Sequence, residues 1–253
     1  MFKHIKFIIP IMIAGLLASC GGGGSGGTTA PTPSTRMMTT NVLHTYATGD
    51  VISYTVKATS TDNTGLVVHM SGSANDSFFI NSIADPYSGV MRSQAMGTGV
   101  LNVGTGISQN MNGTSYFSQD AAGIHGYGDT VSGWLINPTL DMIGTLTIGA
   151  SWNTSATYPN GDTVTATDTI MGKAVVNTPL GSFETYQVVE NRTIYTAATA
   201  TNLATTDVGT KTYYVVPSIG SVKSVSNFTS TDSTGAVTTI TTGKSINTTN
   251  IAF

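Results

Sequence analysis

Ile52, Tyr54 and Val56 alternate with Ser53, Thr55 and Lys57, and a period of two marks a strand with one face turned to a core. Thr61-Asp62-Asn63-Thr64-Gly65 follows. These are the residues of a tight reversal, with the glycine placed to take a left-handed conformation. Leu66 to Met70 returns as a second strand. No stretch carries helical periodicity long enough to compete. The expected fold is all-β: a single curved antiparallel sheet or half-barrel-like domain over residues 41–253.

The same grammar continues. Ser77 to Ile83 reads as a third strand. Pro86 to Thr130 is rich in Gly, Ser, Asn and Met and reads as short strands with long loops, the kind of segment that carries a variable binding surface. Trp134-Leu135-Ile136 reads as a strand ending at Asn137-Pro138, and Thr145 to Trp152 as the next one. Tyr158 to Asp162 is a turn. Val164, Ala166 and Ile170 alternate against threonines in the strand from Thr163 to Ile170. Lys173 to Asn177 and Phe183 to Val189 flank a turn at Thr178 to Gly181. Thr193 to Ala197, Thr212 to Val216 and Val222 to Phe228 follow as strands. A last hairpin turns at Thr231-Asp232-Ser233-Thr234-Gly235 and returns through Thr242.

Two near-repeats stand out. The Thr-Asp-x-Thr-Gly turn occurs at Thr61 and Thr231, and a Gly-Asp pair is read as opening a strand at Gly49, Gly128 and Gly161. No fixed period links the copies, so shared turn chemistry is favoured over a duplicated unit.

Composition narrows the function. Charged residues are 9% of the chain and the net charge is -3. There is no basic patch, so nucleic acid is not an expected partner. Cys20 is the only cysteine, which excludes an intrachain disulfide scaffold and a Cys-based zinc site. Stability must come from an ordinary core, and the roughly 210 residues after the N-terminal region are enough to bury one.

Lys3 and Lys6, the apolar run Phe7 to Leu17 and the small Ala18 and Ser19 have the order of a secretory signal. The run is about half of the ~20 residues a membrane-spanning helix needs. Leu17-Ala18-Ser19-Cys20 resembles the lipobox of bacterial lipoproteins. The resemblance implies a signal peptide over residues 1–19, cleavage between Ser19 and Cys20, and a lipid thioether with an acylated amine on Cys20. Several acyl chains make such an anchor effectively permanent. By the family's sorting rule, Gly21 in place of Asp implies the outer membrane. Residues 20–40 then form a lipidated cysteine and a Gly/Thr/Pro linker. Gly21 to Gly27 is flexible, and Thr28 to Arg36 is stiffer around Pro31 and Pro33. Treated as one flexible chain, Gly21 to Arg36 reaches about 20–24 Å.

The C-terminal half, about residues 136–246, resembles a pattern in uncharacterised bacterial envelope lipoproteins and periplasmic β proteins. Three pieces carry it: Leu146 to Trp152 (LTIGASW), Val176 to Thr185 (VNTPLGSFET) and Tyr213 to Lys223 (YYVVPSIGSVK). Tyr213 stands where the family often has Trp. The resemblance implies curved antiparallel sheets similar to the half-barrels of lipoprotein carriers. It transfers no catalytic residue.

Candidate chemistry is sparse. His44, His69 and His125 lack metal-ligand spacing and are read as neutral surface side chains. Glu184 and Glu190 are the only glutamates. Six residues apart on one strand, they share a face, about 20 Å apart, wider than a glycosidase pair, and are read as solvated. Asp62 and Asp232 lack the ligand pattern of an EF-hand. Trp134, Trp152, Phe183, Tyr186, Tyr213 and Tyr214 are read as core rather than as a sugar-stacking platform. A hydrolase would need an Asp-His pair beside a Ser in one pocket.

The expected protein is not an enzyme and uses no cofactor or metal. It is an envelope lipoprotein of binding or structural type, held to the membrane by its lipid. An apolar ligand, a lipid or an envelope protein would lie on the curved sheet. The alternative is a surface-exposed adhesin-like or carbohydrate-contacting lipoprotein.

Overall fold

The structure is a computed structural model that describes residues 34–103 and 107–252. The signal segment, Ser19, Cys20 and the linker up to residue 33 lie outside the described residues. Among the described residues thirteen strands follow in order: β1 Val51–Asp62, β2 Val67–Ala84, β3 Met91–Val103, β4 Ile107–Asn110, β5 Gly113–Gln119, β6 Gly123–Asp129 and β7 Gly133–Ile143, then β8 Ser151–Thr157, β9 Thr163–Thr178, β10 Gly181–Thr196, β11 Thr205–Val216, β12 Gly220–Asp232 and β13 Val237–Thr249.

They form one antiparallel sheet in the order β7-β6-β5-β3-β2-β1-β13-β12-β11-β10-β9-β8, with β4 paired to β3. The fold is therefore all-β and a single curved sheet, as the alternation requires. It curls further than a half-barrel. The two end strands, β7 and β8, come side by side, so the sheet is a nearly closed barrel. Such curling suits a sheet with one apolar face, because it turns that face onto itself. Ile52, Tyr54, Phe78, Phe117 and Ile246 meet in one buried cluster, and Ile170, Val188, Tyr213, Val215 and Trp152 in another.

Several strands are longer than the sequence suggests. Leu66 to Met70 and Ser77 to Ile83 are not two strands: from Val67 onward both are parts of β2. The polar residues between them look like a loop, yet they pair with β1 on one side and β3 on the other. Thr163 to Ile170 and Lys173 to Asn177 are likewise one strand, β9, interrupted only where Met171 is left out of register. Phe183 to Val189 and Thr193 to Ala197 merge in β10, which ends at Thr196. The region from Pro86 to Thr130 holds regular strands, including the thirteen-residue β3. Small residues there have little pattern of their own, and ladder bonds to neighbours set their conformation.

Asn137-Pro138 does not end a strand: β7 continues to Ile143. A proline is tolerated because β7 is an edge. Conversely, Thr147 to Ala150 is a turn, closed by the Ala150 amide donating to Thr147 O, and β8 begins only at Ser151. Gly49 and Gly161 do precede strands, but Gly128-Asp129 closes β6.

The Thr-Asp-x-Thr-Gly turns cap neighbouring hairpins, β1–β2 and β12–β13, which are joined through the β1–β13 ladder. In each, one aspartate oxygen accepts from the Thr amide, the Thr hydroxyl and the amide beyond the glycine: Asp62 from Thr64 and Leu66, Asp232 from Thr234 and Ala236. The Thr hydroxyl bond above all lowers both carboxyls below the ordinary range. Gly65 and Gly235 take φ of 82° and 85°, the left-handed turn position that favours glycine.

Gly72 serves a different need. It pairs with Val56 and Leu101 at the centre of three strands, beside a cluster of Val56, Ala58, Met70 and Leu101. A methyl group there would overlap the Val100 carbonyl. Gly72→Ala is expected to cost about 1–3 kcal/mol through overpacking, read as a lower urea midpoint.

Residues ahead of β1 close one mouth of the barrel as a strap. The Arg36 amide donates to Ser182 O, and the Glu184 amide to Arg36 O. The chain then crosses to the end of β7, where the Leu43 amide donates to Gly144 O, and to Pro217, whose carbonyl accepts from His44. Tyr46 stacks on Phe78 at 4.0 Å, and its hydroxyl donates to Ile219 O. The opposite rim carries the turns at residues 62–66, 130–132, 158–162, 197–204 and 232–236.

Candidate functional site

The interior is not uniformly apolar. Along β9, the inward register reads Val164, Ala166, Asp168, Ile170. Along β10 it reads Tyr186, Val188, Glu190, Arg192, Ile194. Along β11 it includes Lys211, Tyr213 and Val215. Asp168 pairs with Glu190, and Glu190 with Lys211. Partners in an antiparallel ladder project to the same face, so these three charges form a row across three strands inside the barrel. Ser226 and Thr242 extend it as polar neighbours on β12 and β13.

The row is ion-paired. Glu190, 1% exposed, pairs with Arg192 and, at 3.3 Å, with Lys211, which is 2% exposed. The Tyr213 hydroxyl donates to Asp168 Oδ1 at 2.7 Å. From across the interior, Asp141 on β7 faces the same group, its Oδ1 accepting from the Thr139 hydroxyl at 2.7 Å. Part of Asp141 stays accessible, but its carboxyl is crowded by protein. A cavity of about 40 Å³ lies among Asp141, Asp168, Glu190, Arg192, Thr139 and Tyr158. A second, of about 70 Å³, lies nearer the strap and is lined by Tyr46, Tyr54, Asp76, Phe78 and Tyr213. Phe117 and Asp141 line both. Two of the residues lining the second, Asp76 and Tyr54, are held by Lys244, which reaches Asp76 at 2.9 Å and sits 3.6 Å over the Tyr54 ring.

Burial dominates the electrostatics. It pushes the Asp141 carboxyl up to about 6, against the Thr139 hydrogen bond and the attraction of Arg192. It pushes Asp168 up to about 6 as well, helped by Glu190 and opposed by the Tyr213 hydrogen bond. The Lys211 ammonium is pushed down by burial and pulled back by Glu190. The Tyr213 hydroxyl is held well above its ordinary value by burial and by Asp168.

Sequence reasoning missed this network. Glu184 and Glu190 do share a face, but they are not solvated: Glu190 is buried in the row, and Glu184 accepts the Met38 amide and pairs with Lys173. The usable signal was a charged residue in an otherwise apolar register, at Asp168 between Ala166 and Ile170 and at Glu190 after Val188. Trp152, Phe183, Tyr186 and Tyr213 are buried core residues as expected, while Trp134 and Tyr214 are half-buried.

His44, His69 and His125 stay apart. His44 in the strap meets Asp50 at 2.9 Å, His69 on β2 meets Thr59, and His125 on β6 meets Asp120. Among the described residues, no group of three His, Cys, Asp or Glu is placed to hold a metal ion. His44 and Ser221 both line the larger cavity, but Ser221 donates to Lys223 O and His44 Nε2 engages Asp50. Cys20 and Ser19, the lipid-attachment and cleavage positions, lie outside the described residues.

No protein-family model matches the chain, and no curated protein matches it. Among solved structures it is similar to a Bacteroides fragilis protein described as exported and of YmcC-like fold. The TM-score is 0.36 at 12% identity, covering 83% of this chain and 99% of that one. It is also similar to a Parabacteroides distasonis protein described as a lipoprotein, with a TM-score of 0.31 at 10% identity and the same coverage of 83% and 99%.

Proposed function

We propose that this protein is a non-enzymatic envelope lipoprotein, lipid-anchored through Cys20 in the outer membrane, whose β-barrel body engages an envelope partner rather than an enclosed ligand. The observation that carries the choice of partner is the filled interior. Cavities of about 40 and 70 Å³ hold a few waters, whereas ligand pockets run to about 300–1,000 Å³. Among the described residues, neither of these two cavities has room for an apolar ligand or lipid as the side chains stand.

The strap supports a direction for the contact. The chain enters the barrel at Arg36, beside Ser182 and Glu184. In this reading the strapped mouth, where the described chain begins, is the end nearer the anchor, and the rim with the turns at residues 62–66, 158–162 and 232–236 faces away from the bilayer. Loops on that rim, held by a rigid ladder, are where binding residues are best placed.

Cys20→Ala tests the anchor. The protein is expected to move from the membrane fraction to the soluble fraction with its far-ultraviolet spectrum unchanged. Retention in the membrane fraction would overturn the lipid anchor. Site-specific photocrosslinkers at Asn63 and Asn160, in intact cells, test the direction. Adducts with an envelope protein at these positions, absent from a crosslinker at Thr35, are the expected result. Removal of the protein from whole cells by added protease would instead favour the surface-exposed adhesin-like reading.

A further inference from the structure

β7 and β8 end the sheet and lie side by side, yet among the described residues no backbone ladder joins them. Side chains hold them instead. The Thr154 hydroxyl on β8 donates to Leu140 O on β7 at 3.0 Å. Met142 packs in the cluster of Trp152, and Leu135 in that of Tyr158. β7 is also loosely kept on its other side. Its register against β6 shifts twice, once at Asp141, and Ile136 to Pro138 are exposed. A bulged edge strand with few ladder bonds opens at lower free energy than a central one.

Directly behind this seam stand three carboxylates, Asp141, Asp168 and Glu190, and two cations, Arg192 and Lys211. Asp141 belongs to one lip, and the other four belong to the wall behind the opposite lip. With all five ionised, the carboxylates outnumber the cations in a confined space, and Asp129 at the end of β6 adds a further carboxylate to the same cavity.

We propose that the β7–β8 seam is a proton-operated gate: it closes when Asp141 and Asp168 are neutral and parts when they ionise and draw in water. The groups facing Asp141 are Thr139 on its own strand, Asp168 on β9, Glu190 and Arg192 on β10, Lys211 and Tyr213 on β11, Tyr158 after β8 and Asp129 at the end of β6. Toward the strap stand Asp76, Tyr54 and His44.

The direction follows from linkage. Both folded-state carboxyls sit at about 6, above the ordinary value of about 4. A raised carboxyl contributes stability that is full below the ordinary value and lost as pH rises through the folded one. Parting the seam returns Asp141 to water, so alkaline conditions favour the parted state and mild acid the closed one. This is opposite to the usual acid weakening of paired carboxylates.

Hydrogen exchange on the full-length chain in detergent, corrected for intrinsic rates, tests the gate. From about pH 5 to about pH 8, protection in β7 and β8 is expected to fall about tenfold or more, while β1, β2 and β13 hold theirs. The Asp141→Asn chain is expected to lose this dependence, and Asp168→Asn to reduce it, which serves if the first variant does not fold. Equal protection at the two pH values, a fall shared by all strands, a seam response surviving in folded Asp141→Asn, or one undiminished in folded Asp168→Asn would overturn the proposal.

Discussion

Lys211→Met is expected to lower the unfolding free energy by about 3–5 kcal/mol. Lys211 is 2% exposed and holds Glu190 at 3.3 Å, with its ammonium 4.7 Å from the Tyr213 ring centre. Methionine fills similar space but removes the charge. Asp141, Asp168 and Glu190 would then share Arg192 alone, around a cavity with room for only a few waters. A loss of this size is a large part of the about 5–15 kcal/mol that stabilises a typical domain. Urea denaturation of the full chain in detergent checks it, with the midpoint falling and the slope unchanged. Adding Glu190→Gln is expected to restore part of the loss, because the double change removes a pair rather than stranding one partner. A cost below about 1 kcal/mol would place the pair in the range of surface bridges and show the interior to be wet.

Phe183→Ala is expected to cost about 3–5 kcal/mol, the range for emptying a buried aromatic site. Phe183 is fully buried among Val176, Val216, Ile219 and Val222. It also anchors the strap, since the Arg36 guanidinium lies over its ring at 5.4 Å and the Arg36 backbone pairs beside it. The two roles give two readouts. The urea midpoint should fall, and trypsin should cut after Arg36 faster than in the native chain at a denaturant concentration where both are folded. A destabilised variant with unchanged cleavage at Arg36 would mean that the strap is held elsewhere, at Leu43 and Tyr46.

Hairpins were the most legible part of the fold. The turns at Asp62 and Asp232 encode their own geometry, because one carboxylate oxygen gathers three donors within five residues. Strand lengths were less legible. Ser71 to Asp76 carries no apolar pattern, and only the ladders to β1 and β3 make it part of β2. Pro138 misled because its effect depends on whether its strand is an edge, which sequence order does not reveal. The charged row was hidden for a related reason. Glu190 and Lys211 are ordinary surface residues by type, and they become buried partners only when β10 and β11 pair in one register.

Period-two alternation and turn chemistry, both local, were sufficient to determine an all-β antiparallel chain with hairpins at known places. The single cysteine and the segment before it determined the expected means of attachment. Closure was decided only by the tertiary structure. Curling brings β7 to β8, sets Asp141 opposite Arg192 and Lys211, and lays the strap over one mouth. These contacts join residues far apart in the chain. Their energies depend on burial and on distance through space, quantities that a residue acquires from its neighbours in the folded sheet rather than from its place in the sequence.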